Sequence, residues 1–189
     1  MSSLIENSVI VPAYHEKLNI KPLTTRLFAA LGNEESKKTE LIFVDDNSQD
    51  GSVEEVETLQ KQGYNVSIIV RTTERGLSSA VLKGFYDSKG QYLVCMDADL
   101  QHPPESVPQL LKSLRTHPFV LGTRYAPGVG IDKDWPLYRR VISSGARSLA
   151  KPLTVASDPM SGFFGLQKKE LLAAPQGSIN AKGFKVALD

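Results

Sequence analysis

Short, near-continuous apolar runs separated by helical stripes constrain this chain most. Ser8 to Ala13 (SVIVPA), Glu40 to Asp45 (ELIFVD), Val66 to Val70 (VSIIV), Tyr92 to Met96 (YLVCM) and Phe119 to Gly122 (FVLG) punctuate the first two thirds of the sequence. Runs of this kind read as strands buried on both faces, as in a parallel sheet. Between them, apolar residues recur at helical spacing. Leu23, Leu27 and Leu31 predict a helix over Asn19 to Leu31, with Asn19 as its cap and Pro22 in its first turn. Val53, Val56 and Leu59 predict a short helix ending near Gly63. Leu77, Val81, Gly84 and Phe85 mark a third helix, and Val107, Leu110, Leu111 and Leu114 a fourth after Pro103-Pro104. Strand–helix alternation of this kind predicts an α/β fold with a mostly parallel sheet flanked by helices.

Beyond Thr123 the pattern changes. Arg124 to Asp134, with Gly128 and Gly130, reads as a mobile loop. Trp135 to Ala150 reads as a helix carrying both apolar and basic residues, and Ser161 to Leu166 (SGFFGL) as a further strand. No repeat and no linker is visible. A length of 189 residues predicts one domain over residues 1–189.

Composition excludes several classes. The net charge is +1, with no basic run, which argues against a nucleic-acid binder. The single cysteine, Cys95, lies in an apolar run and cannot form an internal disulfide; it reads as a core residue of a protein in a reducing compartment. Met1 to Asn7 lacks the pattern of a signal peptide, and no apolar run reaches the ~18–20 residues that span a bilayer. The chain as it stands reads as soluble or peripheral.

In parallel sheets, ligands bind beyond the carboxyl ends of the strands. Polar clusters stand at those positions. Pro12 to Glu16 follow or close the first strand, Asp45 to Ser48 the second, Arg71 and Glu74 to Gly76 the third, Asp97 to Gln101 the fourth, and Thr123 and Arg124 the fifth. One such cluster could be a solvated cap; a series of them at successive strand ends points to a site.

Asp97 and Asp99, at i and i+2, would point the same way in extended chain, and Gln101 continues the series with a carbonyl oxygen. Oxygen donors of this kind suit a hard cation that keeps waters and substrate phosphates in its shell. Asp45 is placed on a nucleotide, where a carboxylate accepts from a base N–H or ribose hydroxyl. For Asp46 the nucleotide and a helix-capping role both stay open. Arg124 has the forked donors that hold a phosphate. Arg139 and Arg140 either meet a lipid phosphate or lie on a solvated helix face. His15, His102 and His117 form no zinc pattern, and none is assigned to catalysis.

With these blocks in hand, SVIVPAYHE, VDDNSQDGS, RGLSSAVLKGF, CMDADLQHPPE, LGTRY and SDPMSGFFG together resemble the dolichol-phosphate mannosyltransferases of glycosyltransferase family 2, in the fungal single-polypeptide form. The resemblance runs from Ser8 to about Leu188. It implies a GT-A fold, a Rossmann-like nucleotide-diphospho-sugar transferase domain working with Mg²⁺ or Mn²⁺. It further implies a guanosine pocket of Pro12, Tyr14, Glu16 and Asp45, with Asp97 on the ribose or sugar. Asp99 and Gln101 match metal ligands. Arg124 matches a contact to donor or acceptor phosphate, Tyr125 to Asp134 the acceptor loop, and Arg139 and Ser161 acceptor-phosphate contacts. The implied partners are GDP-mannose, dolichyl phosphate and a membrane surface at the cytosolic face of the endoplasmic reticulum.

The reaction implied is inverting transfer of mannose from GDP-mannose to dolichyl phosphate, for protein glycosylation and GPI-anchor synthesis. A phosphate monoester is anionic near neutral pH and attacks without a dedicated base. Asp158 is the one base candidate and reads better as structural or donor-orienting. The resemblance has one departure: the family continues past GFKVAL with a further strand, a basic R…G-x-S-K motif and, in fungi, a membrane helix, so the chain reads as C-terminally incomplete. Only Trp135 to Ala150 offers a surface for lipid, and a core-packed helix is the alternative there. Two other readings stand beside the mannosyltransferase: a dolichyl-phosphate glucosyltransferase, and a fragment that binds the donor without turnover. A nicotinamide dehydrogenase is disfavoured, because Tyr14-His15-Glu16 stands where G-x-G-x-x-G would follow the first strand.

Overall fold

The structure is a computed structural model and describes residues 4–122 and 162–173. The described strands are β1 (Asn7–Ala13), β2 (Thr39–Asp45), β3 (Val66–Val70), β4 (Tyr92–Cys95), β5 (Phe119–Leu121) and β6 (Phe164–Gln167). They form one sheet in the order β3-β2-β1-β4-β6-β5. β1, β2, β3 and β4 run parallel, with Ala13 opposite Asp45, Asp45 opposite Val70, and Ile10 opposite Cys95. β6 is antiparallel to both β4 and β5, so β5 again runs with β4. The sheet is therefore mixed but mostly parallel, as the apolar runs predict. Because β6 is reversed, its amino end joins the carboxyl ends of the other five strands along one edge.

The helices are α1 (Lys17–Ser36), α2 (Ser52–Lys61), α3 (Leu77–Asp87), α4 (Val107–Leu114) and α5 (Lys168–Ala173), with a 3-10 turn at Pro104–Ser106. Alternate strand residues sort to opposite faces. Val9, Val11, Leu41, Phe43 and Val94 pack with the apolar stripes of α1, α2 and α4. Ile10, Ile42, Val44, Leu93 and Cys95 pack with Val81 and Phe85 of α3 and Leu171 of α5. α3 lies close because Gly84 carries no side chain: a Cβ there would fall 2.5 Å from Ile10 Cγ2. The first residues of two predicted stripes, Val53 and Leu77, are exposed instead of buried.

Three local expectations are corrected. α1 starts at Lys17, so Asn19 is not its cap. Asn19 instead donates its amide to Glu16 Oε2 at 2.6 Å and its backbone N–H to the Glu16 carbonyl, inside the first turn. Pro22 then lies past the first turn, where it removes one backbone hydrogen bond from the helix. At its far end the helix leaves helical geometry at Gly32 (φ 68°), directly after Leu31. The strand read from Ser161 to Leu166 is found as Phe164–Gln167, since the backbone begins pairing with β4 only at Phe164. Cys95 is buried as expected, and burial, followed by the nearby Asp97, raises its thiol pKa well above the ordinary value.

Candidate active site

The carboxyl edge brings together Pro12, Tyr14, Glu16, Asp45, Asp97, Asp99 and Gln101 on the ends of β1, β2 and β4. Arg124, Arg139 and Ser161, together with Asp158, lie outside the described residues. At the centre, β1 and β2 end side by side. Pro12 sits opposite Val44, and Asp46 N donates to the Ala13 carbonyl at 3.1 Å.

Asp45 is buried and engages Ser48 twice: Ser48 N donates to Oδ2 at 2.9 Å, and the Ser48 hydroxyl donates to Oδ1. The Ser48 oxygen in turn accepts the His15 N–H at 2.8 Å. His15 has a left-handed backbone (φ 58°), an uncommon conformation for a residue with a side chain, and this bond helps hold it. The β1 loop that carries Tyr14 and Glu16 is thus tied to the β2 carboxylate through one serine. The D-x-x-S spacing, a local side-chain-to-backbone motif, is a signal that could have revealed Ser48 in the sequence.

Tyr14 is half exposed, and its ring lies 4.3 Å from that of His15 and 5.5 Å from the Arg75 guanidinium carbon. Aromatic and cationic groups thus meet at Tyr14, one of the residues expected to line a guanosine pocket.

Asp46 takes a different place. Arg71 Nε donates to its Oδ1 at 2.7 Å, Arg71 Nη2 donates to the same oxygen, and Gly76 N donates to Oδ2 at 2.8 Å. Arg71 also donates to Ser79 Oγ at 2.7 Å and to the Gly76 carbonyl at 2.9 Å. The pair is buried and fastens residues 71–79 to the end of β2. Nor does Asp46 cap α2: Gly51 is its N-cap, and ahead of it Asp50 Oδ1 accepts from Ser52 N and Oγ at the start of the helix. Sequence reading placed Arg71 in a strand-end cluster and missed that it is buried, since only the fold brings Asp46 against it.

Around β4 the geometry differs from the extended chain expected. The strand ends at Cys95, residues 98 and 99 form a turn, and Leu100 is left-handed (φ 61°). The reason is local: Asp99 Oδ1 accepts the Gln101 N–H at 3.0 Å, which curls the chain. The strict i, i+2, i+4 alternation of Asp97, Asp99 and Gln101 therefore does not hold. The three remain within one short turn at the edge, with Asp97 partly covered and Asp99 and Gln101 exposed. Among the described residues no group of three His, Cys, Asp or Glu could hold a metal ion. Two carboxylates and an amide are hard oxygen donors that leave most of a coordination shell open. That donor set fits Mg²⁺ or Mn²⁺, which keeps waters and substrate phosphates as ligands.

His102 belongs to no zinc pattern in the sequence, yet it is buried beside this turn. Its Nδ1 is 3.4 Å from Asp97 Oδ2, and its ring stacks on Phe163 with centroids 5.3 Å apart. Gly162 also abuts Asp97: a Cβ there would fall 2.8 Å from Oδ2. Phe163 is held in turn by Gly122, whose N–H donates to the Phe163 carbonyl at 2.7 Å. No periodicity signals such a histidine, because the contact joins β4 to the start of β6.

Residues 8–171 match the family model described as "Glycosyl transferase family 2". The chain is 78% identical over 185 residues to the dolichol-phosphate mannosyltransferase of Saccharomyces cerevisiae, covering 98% of this chain and 69% of that protein. It is 63% identical to that of Mycosarcoma maydis, covering 100% and 65%, and 39% identical to that of Pyrococcus furiosus, covering 96% and 51%. It thus spans between half and about two thirds of the length of these curated relatives. A solved structure of glucosyl-3-phosphoglycerate synthase from Mycobacterium tuberculosis, in complex with Mn²⁺, UDP and glucosyl-3-phosphoglycerate, is similar with a TM-score of 0.67 at 21% identity, over 90% of this chain and 60% of that one. That likeness bears on the fold alone, and the fold is the GT-A fold expected. On the matched residues and these identities, the chain belongs to glycosyl transferase family 2 and, within it, to the dolichol-phosphate mannosyltransferases.

Proposed function

We propose that this chain transfers mannose from GDP-mannose to dolichyl phosphate with inversion, giving dolichyl β-D-mannosyl phosphate. The observation that carries the reading is the 78% identity across 98% of the chain to a protein named for this activity. The carboxylate-lined sheet edge supports it.

In this reading Pro12, Tyr14, Glu16 and Asp45 hold the guanosine, and Asp97 the ribose or sugar. Asp99 and Gln101, with Asp97 beside them, hold the divalent cation, which neutralises diphosphate charge when bound. Arg124 holds donor or acceptor phosphate, and Arg139 and Ser161 the acceptor phosphate. An oxygen of the dolichyl phosphate attacks the anomeric carbon from the face opposite GDP. The new C–O bond forms as the bond to GDP breaks, and GDP leaves with the electron pair. The acceptor monoester, with a second pKa of about 6, is already anionic, so no side chain has to remove a proton. Forked donors on Arg124 would meet the charge that develops on the departing diphosphate.

Among the described residues no helix is long and apolar enough to cross a membrane. The surface proposed to meet the membrane is Trp135 to Ala150, with a core-packed helix as the alternative reading of that segment. The place proposed is the cytosolic face of the endoplasmic reticulum, with the product used in protein glycosylation and GPI-anchor synthesis.

The test is transfer of radiolabelled mannose from GDP-mannose to dolichyl phosphate in detergent with Mn²⁺, with and without EDTA. Labelled lipid that disappears with EDTA is the expected result. A second reading, donor binding without turnover, is motivated by the fraction of its relatives that the chain spans. Metal-dependent GDP-mannose binding with no labelled lipid would favour it. Label transferred only from a glucosyl donor would replace mannose with glucose.

A further inference from the structure

We propose that His102 is a positioning residue for Asp97, holding its carboxylate in the orientation the donor requires. The inference rests on the donor-site reading above and deepens it.

The observations lie at one junction. His102 is only 2% exposed, whereas the Asp97 side chain is 34% exposed. A histidine that buried is fixed by its surroundings, and here they include the Phe163 ring, nearly parallel to it at 21°. Its Nδ1 stands 3.4 Å from Asp97 Oδ2. Gly162 supplies the second constraint. Its missing side chain lets the backbone approach the carboxylate, and a Cβ would fall 2.8 Å from Oδ2 and 2.9 Å from Oδ1. Asp97 is therefore confined by a ring from the turn after β4 and by backbone from the segment before β6. Gly122, at the end of β5, packs against the same Phe163, where a Cβ would fall 2.4 Å from Cδ1. The stack thus links the end of β5, the start of β6 and the acidic turn of β4.

An unconfined aspartate would have to be ordered when the donor binds. Immobilising one side chain at binding weakens affinity by roughly 2–10-fold, so confinement in advance strengthens donor binding by that factor. Acceptor binding, which involves other residues, should not change.

The test uses the 189-residue chain and its His102→Phe and His102→Gln variants, with GDP plus Mn²⁺ as the probe in calorimetry. Phenylalanine keeps a ring on Phe163 and removes the nitrogen beside Asp97; glutamine restores a polar group. Circular dichroism and thermal unfolding report whether each variant is folded. The expected result is a folded His102→Phe chain that binds GDP with Mn²⁺ about 3–10-fold more weakly, with part of the loss recovered in His102→Gln. In turnover, KM for the donor should rise while KM for dolichyl phosphate stays at the parent value. A folded His102→Phe chain with parental GDP affinity would overturn the positioning role alone. A parent chain that binds no GDP in Mn²⁺ would overturn the donor-site reading and this inference with it. Loss of binding in His102→Phe with no recovery in His102→Gln, and an equal rise in both KM values, would mark a structural role and also overturn the proposal.

Discussion

Arg71 and Asp46 form a buried ion pair, with Nε 2.7 Å from Oδ1, that fastens the segment after β3 to the end of β2. The neighbouring carboxylate, Asp45, engages Ser48 and through it the loop after β1. Adjacent acids of one sequence motif thus tie down two different loops at the site's edge. Gly76 completes the first of these ties. Its φ of 132° is one that residues with side chains rarely adopt, and this backbone offers both its N–H to Asp46 and its carbonyl to Arg71.

Removing one member of that pair should be costly. Asp46→Ala leaves the buried Arg71 guanidinium with the exposed Glu74 carboxylate, 3.9 Å away, in place of its buried partner, and a loss of about 3–5 kcal/mol in stability is expected. Urea unfolding of Asp46→Ala, Arg71→Ala and the double variant would measure it. The double variant should lose less than the sum of the singles, because the partners are coupled. Two singles within about 0.5 kcal/mol of the parent, the range of ordinary surface changes, would refute the role.

Much of this architecture was legible because apolar runs and stripes are local signals. The strands at Val9 to Val11 and Leu41 to Val44 and the helix through Leu23 and Leu27 follow from periodicity alone. What was not legible depends on contacts between distant segments. Arg71 reads as one more strand-end arginine until β2 and β3 are paired. His102 reads as a histidine outside any zinc pattern until β6 is reversed against β4 and brings Phe163 and Gly162 alongside. The alternation expected for Asp97, Asp99 and Gln101 failed for a local reason: the Asp99 side chain competes for the Gln101 N–H and turns the chain. The start of α1 lies ahead of the capping residue the sequence offers, because Asn19 sits inside the first turn and bonds back to Glu16.

Cys95 should be inert in the folded protein. Its thiol is buried, and burial pushes its pKa up, so the reactive thiolate is scarce. Iodoacetamide should leave it unmodified in buffer and alkylate it in denaturant, read by mass spectrometry. Rapid labelling of the native chain would contradict the core position.

Acid should weaken the Asp50 bonds at the start of α2. Burial raises the pKa of Asp50, but bonds from the Ser52 hydroxyl, Ser52 N and Lys17 N lower it further, and the net direction is down. A carboxylate with a lowered folded pKa stabilises above its unfolded value, about 3.9, and loses that contribution as pH falls through the folded value. Asp50→Asn should therefore unfold at a lower temperature than the parent at pH 7, with the gap closing below about pH 4. A gap of constant size across that range would show that ionised Asp50 contributes nothing.

Asp99 is the residue whose removal should separate binding from folding. It is exposed, and its one described bond is the local turn to Gln101, so Asp99→Ala should stay folded. Loss of that turn bond costs about 0.5–1.5 kcal/mol, too little to unfold a typical domain. If Asp99 is a ligand of the cation on which the donor diphosphate rests, the variant should bind GDP-mannose no better with Mn²⁺ than with EDTA. The parent should differ sharply between the two conditions. Calorimetry with and without EDTA, alongside circular dichroism, gives both readouts on one sample. A folded Asp99→Ala chain with the parent's Mn²⁺-dependent affinity would remove Asp99 from the metal site and leave Asp97 and Gln101 as the remaining assigned donors on the β4 turn.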